Sequence, residues 1–147
     1  MSERLYTVDE VNALLPKVSA RWETVMQLRS QLKGLYGELE AAGAPPGQPA
    51  PKDPSPKVAR DRAVFEGLAE ALKDEVEAIN ATGCVIRDIE SGLCDWEGEH
   101  EGRVVWLCWR YGERECGWFH ELDAGFRGRR PISELRPIGT VRARGQA

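Results

Sequence analysis

The sequence predicts an α+β protein, and three observations carry that prediction. Apolar residues recur at helical spacing in two long stretches, a proline-rich segment separates them, and beyond Gly83 the apolar period falls from about 3.6 residues to two. The expected architecture is a single domain, residues 1–147: a long antiparallel helical hairpin with a Pro-rich connector, packed with a small antiparallel sheet of three or four strands.

The helical part begins within residues 1–42. Thr7-Val8-Asp9-Glu10 is a capping box, in which the Thr7 hydroxyl accepts from the Glu10 amide and the Glu10 carboxylate accepts from the Thr7 amide. A helix therefore starts at about Val8, with Val8, Val11, Leu14 and Leu15 as its apolar face. Pro16 removes one backbone donor and crowds the preceding turn, so a kink or the start of a second helix is expected there. From residue 17 to about 42 the stripe continues through Val18, Trp22, Val25, Leu28 or Arg29, Leu32, Leu35 or Tyr36, and Leu39. Residues 43–56 hold six prolines and two glycines, which predicts an extended, flexible connector without a packed core. Residues 57–82 repeat the helical pattern at Val58, Phe65, Leu68, Leu72, Val76 and Ile79 and end at Gly83, a residue suited to a left-handed cap. The two stripes most simply cover each other.

Residues 84–123 read as sheet. Residues 84–87 form one strand, 88–92 turn, 93–96 form a short second strand and 97–102 a polar loop. Residues 103–110 and 114–121 are the strongest strands, joined around Gly112. Centring that hairpin on Gly112 sets Cys108 opposite Cys116, Trp106 opposite Trp118 and Val104 opposite His120 on one face. Val105, Leu107, Trp109 and Phe119 take the other face. Residues 124–147 are a basic loop and tail.

Composition narrows the function classes. The net charge of −4 is unevenly spread: residues 84–123 carry 4 basic and 10 acidic side chains, whereas 124–147 carry 6 and 1. That balance argues against a general nucleic-acid binder, which needs a basic face. No signal peptide and no apolar stretch of roughly 18 residues is present, so a cytoplasmic protein without membrane contact is expected. The four cysteines, Cys84, Cys94, Cys108 and Cys116, form no C-x-x-C pair and are expected to be reduced.

Three segments carry a resemblance: Arg4-Leu5-Tyr6-Thr7-Val8-Asp9-Glu10-Val11-Asn12-Ala13-Leu14-Leu15-Pro16, then Ile86-Arg87-Asp88-Ile89-Glu90-Ser91-Gly92-Leu93-Cys94-Asp95, then Val105-Trp106-Leu107-Cys108-Trp109-Arg110 onward to Arg130-Pro131. Together they resemble an uncharacterised prokaryotic family, domain of unknown function 2203, over nearly the whole chain except the connector. The resemblance implies a small cytosolic protein and carries across no catalytic residue.

The candidate site lies near the end of the last strand. A divalent metal needs three or four converging N, O or S donors, and His120 and Asp123 could supply two, with Glu121, Cys116 or His100 as additions. In a straight strand His120 and Glu121 point to opposite faces. The competing reading, which we favour, has His120 capping an apolar face beside Trp118 while Glu121 and Asp123 are solvated or pair with Arg129 or Arg130. A second candidate is an anion-binding loop, Gly125-Phe126-Arg127-Gly128-Arg129-Arg130, in which Arg127, Arg129 and Arg130, with Trp118, would bind a small anion. Its alternative is a turn whose arginines neutralise Glu97, Glu99, Glu101 or Asp123. Cys116 or Cys108 would be a nucleophile beside His120, or simply a buried apolar thiol. Trp96, Trp106, Trp109, Trp118 and Phe119 could stack bases, but the acidity of the region favours core packing and a protein partner.

The expected function is a non-enzymatic binding or assembly module, using its helical hairpin and the aromatic, arginine-rich sheet end, with a protein partner or a homodimer. No cofactor is expected, a divalent metal being the one the donors admit. The alternative is a metal- or cysteine-dependent enzyme centred on His120, Glu121, Asp123 and Cys116.

Overall fold

The structure, a computed structural model, describes residues 4–139; the end of the basic tail, residues 140–147, lies outside the described residues. Helix α1, Val8–Ala41, begins where the capping box places it. The Glu10 amide donates to Thr7 Oγ1 at 3.1 Å and the Thr7 amide to Glu10 Oε1 at 2.9 Å. The 34-residue helix runs through Pro16, so that proline does not start a second helix. Val11 and Leu15 before it, and Val18 and Trp22 after it, are all buried, and this packing on both sides outweighs one lost backbone bond. None of the helices described is long and apolar enough to cross a membrane.

Two compact units divide the chain: Met1–Trp22 together with Ile79–Ala147, and Glu23–Ala78. The second unit is the helical hairpin, made of the remainder of α1, the connector and most of α2, Pro56–Asn80. Tyr36 and Phe65 meet across it with ring centroids 6.3 Å apart. The connector is tied at its start: Ala44 is buried, and the Arg62 guanidinium donates to the carbonyls of Ala44, Pro45 and Gln48 at 2.8–3.1 Å. Val58, Phe65, Leu68, Leu72 and Val76, the stripe along α2, are only half-buried.

In the first unit the start of α1 lies on an antiparallel sheet of five strands, where three or four were expected. The strands are β1 (Val85–Asp88), β2 (Leu93–His100), β3 (Arg103–Arg110), β4 (Trp118–His120) and β5 (Arg130–Pro131), in that spatial order. Strand β5 is two residues long, too short for any periodicity to reveal. The larger correction concerns β2, which continues to His100 where a polar loop was expected at 97–102. Glu97 and Glu99 share one face while Gly98 and His100 turn inward on the other, an alternation that glycine disguises. A Cβ on Gly98 would stand 2.7–2.9 Å from the Leu107 side chain, so its absence is what admits Leu107. Glu101 and Gly102 both have positive φ, 50° and 82°, closing β2 on β3 with a two-residue turn.

The β3–β4 register also departs from expectation. His120 pairs with Trp106 and Trp118 with Cys108, a shift of two residues from a hairpin centred on Gly112. Residues 111–117 form a wide loop, pinned where Arg110 N–H donates to Glu113 Oε1, Trp109 Nε1 to the Glu113 carbonyl, and Cys116 N–H to Asn12 Oδ1. Because the shift is even, the side chains of β3 and β4 keep their expected faces, whereas Cys116, expected opposite Cys108, lies in the loop. Val105, Leu107, Trp109 and Phe119 are buried with Cys94 and Trp96, and Trp22 Nε1 donates to Cys94 Sγ at 3.3 Å.

Candidate functional site

The other face of the sheet gathers the titratable groups. The two-residue turn after His100 sets Asp95 directly opposite Cys108 on β3, and β4 sets His120 opposite Trp106, one position along the same face. Oxygen, sulfur and nitrogen donors from Asp95, Cys108 and His120 thus lie within 4.8 Å of one another, and all three residues are buried. His120 Nε2 is 3.1 Å from Asp95 Oδ2, and His120 Nδ1 is 3.0 Å from the Glu121 carbonyl. Arg87 Nε donates to the same Asp95 oxygen at 2.9 Å, with its guanidinium 4.6 Å above the Trp106 ring. Asp95 Oδ1 has no hydrogen-bond partner. Burial, reinforced by the Asp95 charge, pushes the Cys108 thiol far up.

A cavity of about 240 Å³ opens onto this cluster, lined by Arg87, Asp95, Trp106 and His120 and roofed by Leu122 and Phe126 of the loop after β4. That loop partly covers the second apolar face. With Trp118 of β4 it forms an exposed patch: Trp118 is 37%, Phe126 39% and Leu122 49% exposed. Between the two aromatics lies the Arg129 guanidinium, 4.9 Å from the Trp118 ring and 4.5 Å from Phe126, and it donates to both Glu113 oxygens at 2.9 Å.

The residues singled out from sequence are dispersed. His120 joins the buried cluster, but Glu121 faces the other way and accepts two bonds from Arg103 at 2.8 Å, and this pairing holds its carboxyl below the usual range. Asp123 and Arg127 are exposed, outside the cluster. Arg130 bonds Glu134 and Glu121 and covers the Phe119 ring, so the partners of the loop arginines are Glu113, Glu121 and Glu134. Burial pushes the Cys116 thiol up to about 12. All four cysteines are free and buried. His100 is buried elsewhere, 4.9 Å from Phe119, with its Nδ1 accepting from the Arg136 amide.

Asp95 was missed by sequence reasoning. Counting outward from Glu101-Gly102 as a two-residue turn pairs Asp95 with Cys108, and that count was the available signal.

A family model described as an uncharacterised conserved protein (DUF2203) matches residues 4–132. No curated protein and no solved structure matches the chain.

Proposed function

The chain belongs to the DUF2203 family, and from its own geometry we propose a non-enzymatic binding or assembly module. Its working surface is the aromatic and arginine-rich end of the sheet, and its first partner is a second copy of the chain in the cytoplasm. The observation that carries this reading is the exposed patch of Trp118, Leu122 and Phe126. The Arg129 guanidinium held between its rings makes the patch rigid before any partner arrives, which lowers the ordering cost of association. Aromatic and arginine side chains so arranged are the ones that dominate interface energies. The half-buried stripe of α2 offers a second contact surface.

A metal- or cysteine-dependent enzyme is the competing reading. Its centre would lie at Asp95, Cys108 and His120, whose donors converge, because Glu121 is engaged by Arg103, Asp123 is exposed and Cys116 lies outside the converging group.

Light scattering of the full chain over a concentration series tests the binding module. A dimer is expected, weakened about tenfold or more by Phe126→Ser or Leu122→Ser with the melting temperature unchanged. A monomer at every concentration, or a dimer indifferent to both changes, would remove self-association through this patch.

A further inference from the structure

The binding-module reading makes no use of the buried centre of the sheet, and the observations there point to a second property that does not depend on it. Asp95, Cys108 and His120 are the only group of three metal-capable side chains among the described residues whose donor atoms lie within 4.8 Å of one another. Each comes from a different strand, so a well-hydrogen-bonded sheet holds them in place.

Two further features concern the donors themselves. Asp95 is 1% exposed; Arg87 pairs with its Oδ2, while its Oδ1 has no hydrogen-bond partner and is the oxygen open to a second cation. His120 faces an acceptor at each ring nitrogen, the Glu121 carbonyl 3.0 Å from Nδ1 and the Asp95 carboxylate 3.1 Å from Nε2, so Nε2 is the nitrogen that points into the triad. Metal-bound histidines are commonly oriented by just such a bond from the remote ring nitrogen.

We propose that Asp95, Cys108 and His120 bind one divalent transition cation through an oxygen, a sulfur and a nitrogen, with zinc the best match to that mixed donor set. Tetrahedral bonds of about 2.0–2.3 Å set donors about 3.3–3.8 Å apart, so donors that lie within 4.8 Å of one another need close by no more than roughly 1.5 Å on binding. Coordination replaces the Cys108 thiol proton and the proton shared between His120 Nε2 and Asp95 by the metal, and these protons leave to solvent with no change in oxidation state. Arg87 remains on Oδ2 and leaves Oδ1 to the cation. Three protein ligands leave a fourth position, which water or a small ligand fills from the cavity that Asp95 and His120 line.

The test is titration of the full-length protein, stripped with chelator and kept reduced, with ZnCl2 by calorimetry and with CoCl2 by absorption spectroscopy. One equivalent of each is expected to bind. Cobalt should give the intense visible bands of a tetrahedral site and a sulfur-to-cobalt charge-transfer band. Cys108→Ser should abolish the charge-transfer band and His120→Ala should weaken zinc at least tenfold, whereas Cys84→Ser and Cys116→Ser should leave the spectrum intact. Should the buried variants fail to fold, thiol alkylation of the wild-type chain with peptide mapping decides: zinc should protect Cys108 and leave the labelling of Cys116 unchanged. Absence of stoichiometric binding, an octahedral cobalt spectrum without the sulfur band, or equal protection of all four thiols would overturn the proposal.

Discussion

Single atoms set the tolerance of several positions. At Gly83 the backbone has φ of 102°, and a Cβ there would come within 1.9 Å of the Tyr6 hydroxyl oxygen, which donates to the Thr82 carbonyl at 3.0 Å. Gly83→Ala should therefore cost about 2–3 kcal/mol, from the strained backbone and the displaced ring together. Tyr6→Phe, which loses only the hydrogen bond, should cost about 1 kcal/mol. Thermal melts of the two variants check the order; equal costs would mean that the ring moves aside freely. Sequence alone marked Gly83 as a helix cap but could not supply Tyr6 as its neighbour, because the contact joins residues 77 positions apart. The same limit hid Asp95. Its chemistry was plain in the sequence, whereas its place beside Cys108 and His120 follows only from strand pairing.

Among the elements, the segment after the 3-10 turn Ile132–Glu134 is held to the end of β2 and the β2–β3 turn by Glu99, His100 and the Glu101 backbone. Glu99 accepts from the amides of Gly102, Ile138 and Gly139 at 2.7–3.0 Å, while His100 Nδ1 accepts from the Arg136 amide and the Glu101 amide donates to the Arg136 carbonyl. Burial by itself would raise the Glu99 pKa, but the three amides together outweigh it and hold the group below its ordinary 4.5. A carboxyl depressed on folding stabilises the native state above its unfolded value and loses that contribution as pH falls through the folded one. Hydrogen exchange at Ile138 and Gly139 should thus quicken, relative to intrinsic rates, as pH drops below about 4.5. In Glu99→Gln protection should be weak already at neutral pH and nearly independent of pH; a wild-type-like profile in that variant would assign the strap to another group. The elements themselves were largely legible: the capping box, both helical stripes and the two-faced alternation of β3 all stand. What was not legible was register, because the turn at Gly112, closed by the Glu113 amide on the Arg110 carbonyl, is followed by further loop residues to 117 that the Glu113 and Asn12 side chains pin.

For the whole molecule, the order of contacts along the chain governs assembly. The helical hairpin, Glu23–Ala78, is continuous in sequence, whereas the unit bearing the sheet is built from two segments that flank it. Local helical contacts form faster than pairings that must first close a long loop. Pulse-labelling during refolding should accordingly find amides of the hairpin protected before those of β2 and β3, and simultaneous protection would indicate that the two units nucleate together. The charge asymmetry was also legible, but its use was not: the loop arginines Arg129 and Arg130 pair with Glu113, Glu121 and Glu134 rather than with the glutamates of β2. A further consequence of the split unit concerns synthesis. Residues 4–22 leave the ribosome before the hairpin and then wait, with Val11, Leu15, Val18 and Trp22 unmatched, until the strands of their unit emerge more than 60 residues later. An antiparallel hairpin that folds in the interval brings residues 23 and 78 to the same end, so it shortens the effective loop that the late strands must close. The hairpin thereby acts as a built-in splint for the nascent chain, and its stability sets how long four bulky apolar side chains stay exposed to other proteins.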